Sequence, residues 1–260
     1  MVRQVDITKI NLSAKSVEKI TDYVAEESPL QLFVNSTFWA TILCTPTNIK
    51  ELAVGHLLSE GIIKSIEEIV EVTEKENACT VKLKPNVNVE DRISISRLHA
   101  RVIPSACGSG SPYQYKGKIP IVTSNLTVAA KIVFESVNQL NFKAQVFRQT
   151  GGVHAAAIYK GDGSLIAMAE DVGRHNAVDK VIGMAALGKI DFAECFLALS
   201  GRISGDVAFK AAKVGLPIVA SLSAALSSGI TTAKESNVTI AGFVRGKRLN
   251  IYTVPERIII

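Results

Sequence analysis

Two stretches of this chain hold residue types able to do chemistry. The first runs Glu170-Asp171-Val172-Gly173-Arg174-His175-Asn176-Ala177-Val178-Asp179-Lys180 and crowds two carboxylates, a guanidinium, an imidazole and an amide into its first seven residues. Acid, base and cation at such spacing suit proton transfer, or a grip on a polar anionic ligand. An ordinary strand-to-helix turn needs one Asp or Asn as a cap, not a whole cluster. The second stretch is Ser105-Ala106-Cys107-Gly108-Ser109-Gly110-Ser111-Pro112. It has loop chemistry without an apolar period, and a thiol there can reach into a site as a nucleophile or sulfur carrier.

Three further polar clusters accompany these. They are Thr150-Gly151-Gly152-Val153-His154, Ser200-Gly201-Arg202-Ile203-Ser204, and Gly242-Phe243-Val244-Arg245-Gly246-Lys247-Arg248. Glycine-rich backbone and helix N-termini favour phosphate oxygens, and Arg174, Arg202, Arg245, Lys247 and Arg248 can add direct charge pairing. The charge distribution agrees. Residues 1–120 hold 14 Lys and Arg against 14 Asp and Glu, whereas residues 121–260 hold 15 against 10 and carry the whole +5 excess. A nucleotide or pyrophosphate-bearing ligand fits this half better than a neutral metabolite. The remaining cysteines, Cys44, Cys79 and Cys195, sit in strand-like contexts and read as packed thiols; no two cysteines have metal-knuckle spacing.

The elements that must position these groups can be read from periodicity. Leu30–Val34 and Thr37–Leu43 form two strands around an Asn35-Ser36 turn. A helix follows, with Asn48 and Glu51 placed for a capping box, an apolar side of Leu52, Leu57 and Leu58, and Gly61 at its end; His56 on it reads as structural. Short alternating runs over 68–98 suggest antiparallel strands. Residues 101–120 have the composition of a flexible linker. Leu126, Ala130, Val133, Val137 and Leu140 then mark a helix of about four turns. Strands at 154–159, 164–169, 195–199, 217–222, 238–243 and 249–253 alternate with helices at 176–187, 204–214 and 224–235, the last strand pair apart, and Gly188 is a candidate left-handed C-cap. The division is a β-rich α+β domain over 1–100, the linker carrying Cys107 over 101–120, and an α/β domain over 121–260 with a mixed or largely parallel sheet. If their strands run the same way, the Asp171–Asn176 and Ser200–Ser204 clusters meet at one sheet edge. With no apolar run near the roughly 18 residues of a membrane span and no secretion signal, the chain reads as cytoplasmic.

Those motifs resemble the FdhD family, the sulfurtransferases that act as accessory proteins for formate dehydrogenase. The resemblance spans almost the whole chain. It rests on Thr45-Pro46, Leu58-Ser59-Glu60-Gly61-Ile62-Ile63, Cys107-Gly108, Thr150–Ala156, the run Glu170–Lys180, Ser200-Gly201-Arg202 and Gly242–Gly246. It implies a cytidine-deaminase-like three-layer fold for the C-terminal domain, and a homodimer. It also implies the transfer of persulfide sulfur from a cysteine desulfurase to the molybdenum (or tungsten) bis-molybdopterin guanine dinucleotide cofactor, before that cofactor enters the formate dehydrogenase apoprotein. Cys107 takes the place of the persulfide cysteine, and Phe243, Val244, Arg245, Gly246, Lys247 and Arg248 that of the guanine-dinucleotide contact. Gly151, Gly152, His154, Asp171, Arg174, His175 and Arg202 are expected to line the same cleft, Asp171 or Glu170 toward a guanine edge, Arg174 toward phosphate and His175 in proton transfer. Neither nucleic acid nor a membrane is an expected partner.

Two departures stand out. Gly110 occupies the position where the family loop often carries a second cysteine, and Ala224-Ala225-Leu226-Ser227-Ser228-Gly229 replaces a segment that tends to hold Pro-Thr. The first excludes a resolving thiol within that loop and keeps open a non-catalytic chaperone that binds the cofactor without handling sulfur. A hydrolytic deaminase is a third possibility that the residues reject: His154 is followed by Ala155-Ala156 and there is no cysteine pair, so a zinc-water site of that kind has no ligands.

Overall fold

The computed structural model describes residues 1–89, 92, 102–103 and 119–260. The chain begins with an antiparallel ribbon, β1 (Val2–Asn11) and β2 (Ser16–Ala25), in unbroken register. Sequence periodicity assigns nothing here. The ribbon is solvated over most of its surface, so it shows no clean apolar alternation. Next come β3 (Ser28–Val34) and β4 (Thr37–Cys44), the expected hairpin. Asn35 and Ser36 have φ of 48° and 67°, the left-handed pair that a two-residue hairpin requires.

Helix α1 (Ile49–Ser59) differs from its expected form in two ways. Asn48 is itself left-handed and its side chain makes no cap bond. Nor is one side of α1 apolar and the other wet, because every residue from Leu52 to Ser59 is buried. The reason is position: α1 lies between a small sheet and the helices of the second domain. That sheet contains β5 (Ile69–Lys75), β6 (Ala78–Leu83) and β7 (Val102–Ile103), in the order β5-β6-β3-β4-β7. It is mixed, not antiparallel as expected, since β6 runs parallel to β3 and β7 parallel to β4. The run Ile93-Ser94-Ile95 and the Cys107 linker lie outside the described residues.

In the second half, β8 (Val128–Ala129) leads into α2 (Ala130–Lys143) and α3 (Gln145–Thr150). The 3,4 spacing from Leu126 predicts an earlier start for α2. Val128 and Ala129 are instead drawn into a bridge with β15 (Ile258–Ile259). The main sheet holds β9 (His154–Lys160), β10 (Leu165–Asp171), β11 (Cys195–Leu199), β12 (Ile218–Ser221), β13 (Thr239–Arg245) and β14 (Arg248–Thr253), ordered β10-β9-β11-β12-β13-β14. Between the strands run α4 (Arg174–Leu187), α5 (Gly205–Val214) and α6 (Ser227–Ser236). Gly188 is not the left-handed C-cap expected of it; its φ is −76° and Lys189, at 54°, makes the turn.

Both faces of this sheet are covered, which explains why its central strands are continuous apolar runs. On β9, Ala156 and Ile158 point into one core with Leu197, Leu199, Val219 and Ile240, under α4 and α5. Their neighbours Ala155, Ala157 and Tyr159 point the other way, toward Val133, Val137 and Leu140 of α2. The first core continues through α1 to Leu30, Leu32 and Val81 of the small sheet, so the two halves share one apolar interior. Each fully buried aliphatic chain there is worth about 1.5–3 kcal/mol. The contact between the halves is close because α1 and α4 cross at glycines: a Cβ on Gly55 would strike the Asp179 carbonyl oxygen, and one on Gly183 that of Glu51.

Candidate functional site

Strand direction decides where the polar clusters go. β9 is antiparallel to both β10 and β11, so β10 and β11 run the same way and β12 and β13 continue that direction. The carboxyl ends of β10, β11, β12 and β13 therefore share one edge with the start of β9. Ligands of open α/β sheets bind at such an edge. All the cleft residues expected from sequence are carried there, from the Gly151-Gly152 turn to the β13–β14 hairpin.

Direct contacts tie neighbouring clusters together. A Cβ placed on Gly201 would lie 3.3 Å from Arg174 Cβ and 3.4 Å from His154 Nδ1, so those two side chains pack closely over the loop after β11. The loop is closed from below by Ser200 Oγ, which accepts from the Ala155 amide at 2.9 Å, and by Ser221 Oγ, which donates to the Gly201 carbonyl at 2.6 Å. Ile203 N donates to Ala224 O (3.0 Å) and Phe243 N to Ser223 O (2.9 Å), joining the ends of β11, β12 and β13. Burial, then the charges of Arg174 and Arg202, hold the His154 imidazole below its ordinary value. It is neutral at pH 7, in a site whose field is positive.

The β13–β14 hairpin is built to present side chains. Gly246 and Lys247 form its two-residue turn with φ of 60° and 58°, between the paired Arg245 and Arg248. A bulge between Gly242 and Arg245 breaks the register, and within it Phe243 takes φ 51°. That conformation costs a non-glycine residue on the order of 1–2 kcal/mol, and it re-aims the strand end as bulges do. The Arg245 guanidinium lies 5.2 Å from the centroid of the Phe243 ring. Arg245, Lys247, Arg248 and Arg202 are exposed. Val244 is turned inward; its side chain is fully buried in the core under α2.

Other members of the long polar stretch point into the protein. Asp171 is fully buried and pairs with the equally buried Lys180 at 2.7 Å. Its oxygens also accept from Thr45 N (3.0 Å), Gly173 N (2.8 Å) and Asn176 Nδ2 (3.0 Å), leaving no exposed face. Lys180 donates to Thr45 O at 3.0 Å, and Val172 N to Thr45 Oγ1 at 3.1 Å. Thr45 thus clamps the end of β4 to the end of β10. The Glu170 carboxylate accepts from Val146 N and Phe147 N, capping α3 and holding the glycine turn that follows it.

Asp179 anchors a second buried network. It accepts from Ser59 Oγ at 2.7 Å, from Lys210 Nζ at 2.9 Å on both oxygens, and faces His56 Nδ1 at 3.3 Å. Trp39 Nε1 donates to His56 Nε2 at 3.4 Å, which leaves Nδ1–H for Asp179. Burial alone would raise the Asp179 carboxyl, but Lys210 and the His56 and Ser59 bonds outweigh it and bring the group to about 2. The same pairing, together with Glu60, lifts Lys210 to about 12 against its burial. His175 stands between this network and the cleft. Its Nε2 is 3.4 Å from Ser204 Oγ, and burial, Lys210 and Arg174 lower it to about 4. At neutral pH it is uncharged.

Sequence reasoning missed the backbone of Ser221–Ser223, which bridges two sheet ends, and named Ser204 only as the end of a polar cluster, without its contact to His175. Among the thiols, Cys44, Cys79 and Cys195 are at most 1 % exposed. Burial pushes Cys44 to about 12, helped by Asp171; Cys79 to about 12, helped by Glu74; and Cys195 to about 11, helped by Asp191. Cys107 lies outside the described residues.

The fold is a mixed α/β one in which glycine turns and exposed arginines gather at the carboxyl edge of the main sheet. The chain belongs to the FdhD/NarQ family, whose profile matches residues 25–259. It is 37% identical over 263 residues to the sulfur carrier protein FdhD of Saccharolobus solfataricus, across 99% of this chain and 98% of that one. The protein of the same name in Staphylococcus haemolyticus is 37% identical over 243 residues, 92% of this chain and 90% of that one. A crystal structure from Desulfotalea psychrophila, of a protein assigned as a formate dehydrogenase accessory protein, superposes with a TM-score of 0.79 at 24% identity, covering 99% of each chain. Both of these relatives are named as sulfur carriers. No helix among the described residues is long and apolar enough to cross a membrane.

Proposed function

We propose that this chain is a cytoplasmic sulfur carrier. It takes persulfide sulfur from a cysteine desulfurase onto Cys107 and delivers it to the molybdenum (or tungsten) bis-molybdopterin guanine dinucleotide, its substrate, before that cofactor enters formate dehydrogenase. The reading is carried by the thiols. Three of the four cysteines are walled into the core, where burial keeps their thiols protonated, so in this reading the carrier role falls to Cys107. Its thiolate attacks the outer sulfur of the donor persulfide, the donor S–S bond breaks, and the desulfurase cysteine leaves as a thiolate. The step needs no oxidant.

The cleft supports the acceptor half of this reading. The exposed Arg202, Arg245, Lys247 and Arg248 suit two pyrophosphates, with Arg174 and the Gly151-Gly152 turn along the same edge. Phe243 offers a ring for a guanine base, while the buried Asp171 and Glu170's cap position these walls. The sheet, in which β9 is opposed to β10, β11, β12 and β13, is compatible with a cytidine-deaminase-like arrangement. Gly110, in place of a second loop thiol, favours the alternative of a non-catalytic chaperone that binds the cofactor.

Loading with a cysteine desulfurase and cysteine, followed by intact-mass measurement, separates the two. The unmodified chain should gain a persulfide sulfur and Cys107→Ala should not, while Cys44→Ala and Cys195→Ala should load normally. If Cys107→Ala accepts sulfur and supports formate dehydrogenase activation as well as the parent chain, the carrier reading is lost.

A further inference from the structure

A single hydroxyl links two walls of the cationic rim. Ser221 ends β12 and is fully buried. Its Oγ donates to the Gly201 carbonyl at 2.6 Å, with a longer approach to Leu199 O at 3.3 Å, and accepts from the Ser223 amide at 2.9 Å. A hydroxyl has a proton to give and lone pairs to receive, so the same atom serves both partners. An alanine there would serve neither.

Each partner leads to a different wall. Gly201 precedes the exposed Arg202 and sits against Arg174 and His154. On the other side, the Ser223 carbonyl accepts from Phe243 N at 2.9 Å, and a Cβ on Gly242 would come within 3.4 Å of that same oxygen. Phe243 is the residue held at φ 51° in the β13 bulge, with the Arg245 guanidinium 5.2 Å from its ring centroid. The run Gly201, Ser221, Ser223, Phe243 therefore joins Arg202 to Arg245 through hydrogen bonds, with Ser221 inside it. Two further bonds, Ile203 N to Ala224 O at 3.0 Å and Leu226 N to Ile203 O at 2.9 Å, hold the loops together without the hydroxyl. Its loss shifts the walls and leaves the rim folded.

We propose, resting on the reading that this rim binds a guanine nucleotide, that Ser221 is a positioning residue that sets the spacing between the two walls. Being enclosed, it touches no ligand and acts through Gly201 and Ser223. A ligand that spans both walls, phosphates on Arg202 and base on Phe243, gains from finding them already at its own spacing. A ligand that touches one wall is indifferent to where the other stands. Ser221 thereby makes the rim selective for base and phosphate joined in one molecule. Without the hydroxyl, the Gly201 carbonyl and the Ser223 amide lose their shared partner, and the two loops move apart to pair elsewhere.

Calorimetric titration of the full-length chain with guanosine diphosphate, guanosine and inorganic pyrophosphate tests the role, with Ser221→Ala and Ser221→Cys beside the parent. The thiol fills the space of the hydroxyl but is a weak donor and acceptor, so the two variants should behave alike. Each should lose about tenfold in affinity for guanosine diphosphate, while guanosine and pyrophosphate bind within about twofold of the parent. Amide exchange followed by NMR reads the same link without ligand. Ser223 and Phe243 should exchange faster in Ser221→Ala, and the amides of β9 and β11 at the parent's rate, which also checks the fold. Unchanged affinity for guanosine diphosphate, an equal loss for all three ligands, parent-like binding by Ser221→Cys, or unchanged exchange at Phe243 would each overturn the role. A parent chain that binds none of the three would overturn the nucleotide reading and this role with it, a result distinct from a parent that binds and variants that bind equally well.

Discussion

His154 and His175 each fall in a glycine-containing polar cluster of the sequence, and in the fold both are kept neutral. For His175 the causes are burial, Lys210 and Arg174, which lower its pKa to about 4 from an ordinary value near 6.5. Between those two values the unfolded chain binds a proton that the folded chain refuses, so stability is complete above about pH 6.5 and declines as pH falls toward 4. Asp179, held at about 2, acts in a lower window: the stability it adds is present above the usual carboxylate value and is lost as pH falls through 2. Urea midpoints measured between pH 7 and pH 4.5 isolate the histidines. His175→Gln, neutral throughout, should reduce the loss over that range by about 2 kcal/mol, with His154 leaving a smaller residual slope. An unchanged pH profile would mean that His175 titrates normally in the folded protein.

At the scale of elements, the crossing of α1 and α4 holds the cleft in place. It seats Asp179 against Ser59 and His56, and the neighbouring end of α4 presents Arg174 and His175 to the cleft. The crossing is set by Gly55 and Gly183, where each Cβ would collide with backbone of the facing helix. Backbone cannot rotate away as a side chain does, so Gly183→Ala should cost about 2–4 kcal/mol by overpacking, read as a lower urea midpoint. Ala186→Gly, on the same helix without such a contact, should cost only about 1 kcal/mol in helix propensity and packing. Equal effects for the two would show that the crossing is looser than described. The sequence reading of α1 as an amphipathic helix with a capping box failed here for a definite reason. A helix enclosed on all sides has no polar face to display, and the left-handed Asn48 cannot turn its side chain onto the first turn.

The whole molecule is a shared apolar interior with exposed cations on one rim and a solvated ribbon at the chain's start. The cleft's charge is the part exposed to a ligand, since Asp171, Asp179 and Lys180 are consumed inside. Arg245→Ala/Lys247→Ala/Arg248→Ala should therefore weaken the binding of guanosine diphosphate by about tenfold or more, and flatten its dependence on salt, as titration calorimetry would measure. All three residues are exposed on a hairpin turn, so folding should be unaffected. An affinity equal to the parent's would remove the hairpin from the binding surface.

How far the sequence reached follows from what is local. The apolar runs of β9, β11, β12 and β13 are set by neighbours in the chain, so their positions were legible within a few residues. The clusters Gly151-Gly152, Arg174, Arg202 and Arg245–Arg248 were legible for the same reason. Residue types alone could not tell which members of Glu170–Lys180 face a ligand and which face the core. Asp171 and Arg174 are three residues apart, yet one is enclosed by Thr45, Gly173, Asn176 and Lys180 and the other borders the cleft. Partners more than a hundred residues away decide that, through strand directions that place β10 and β11 alike only because β9 runs against both. The ribbon was invisible to periodicity because a solvated hairpin has no buried face to mark.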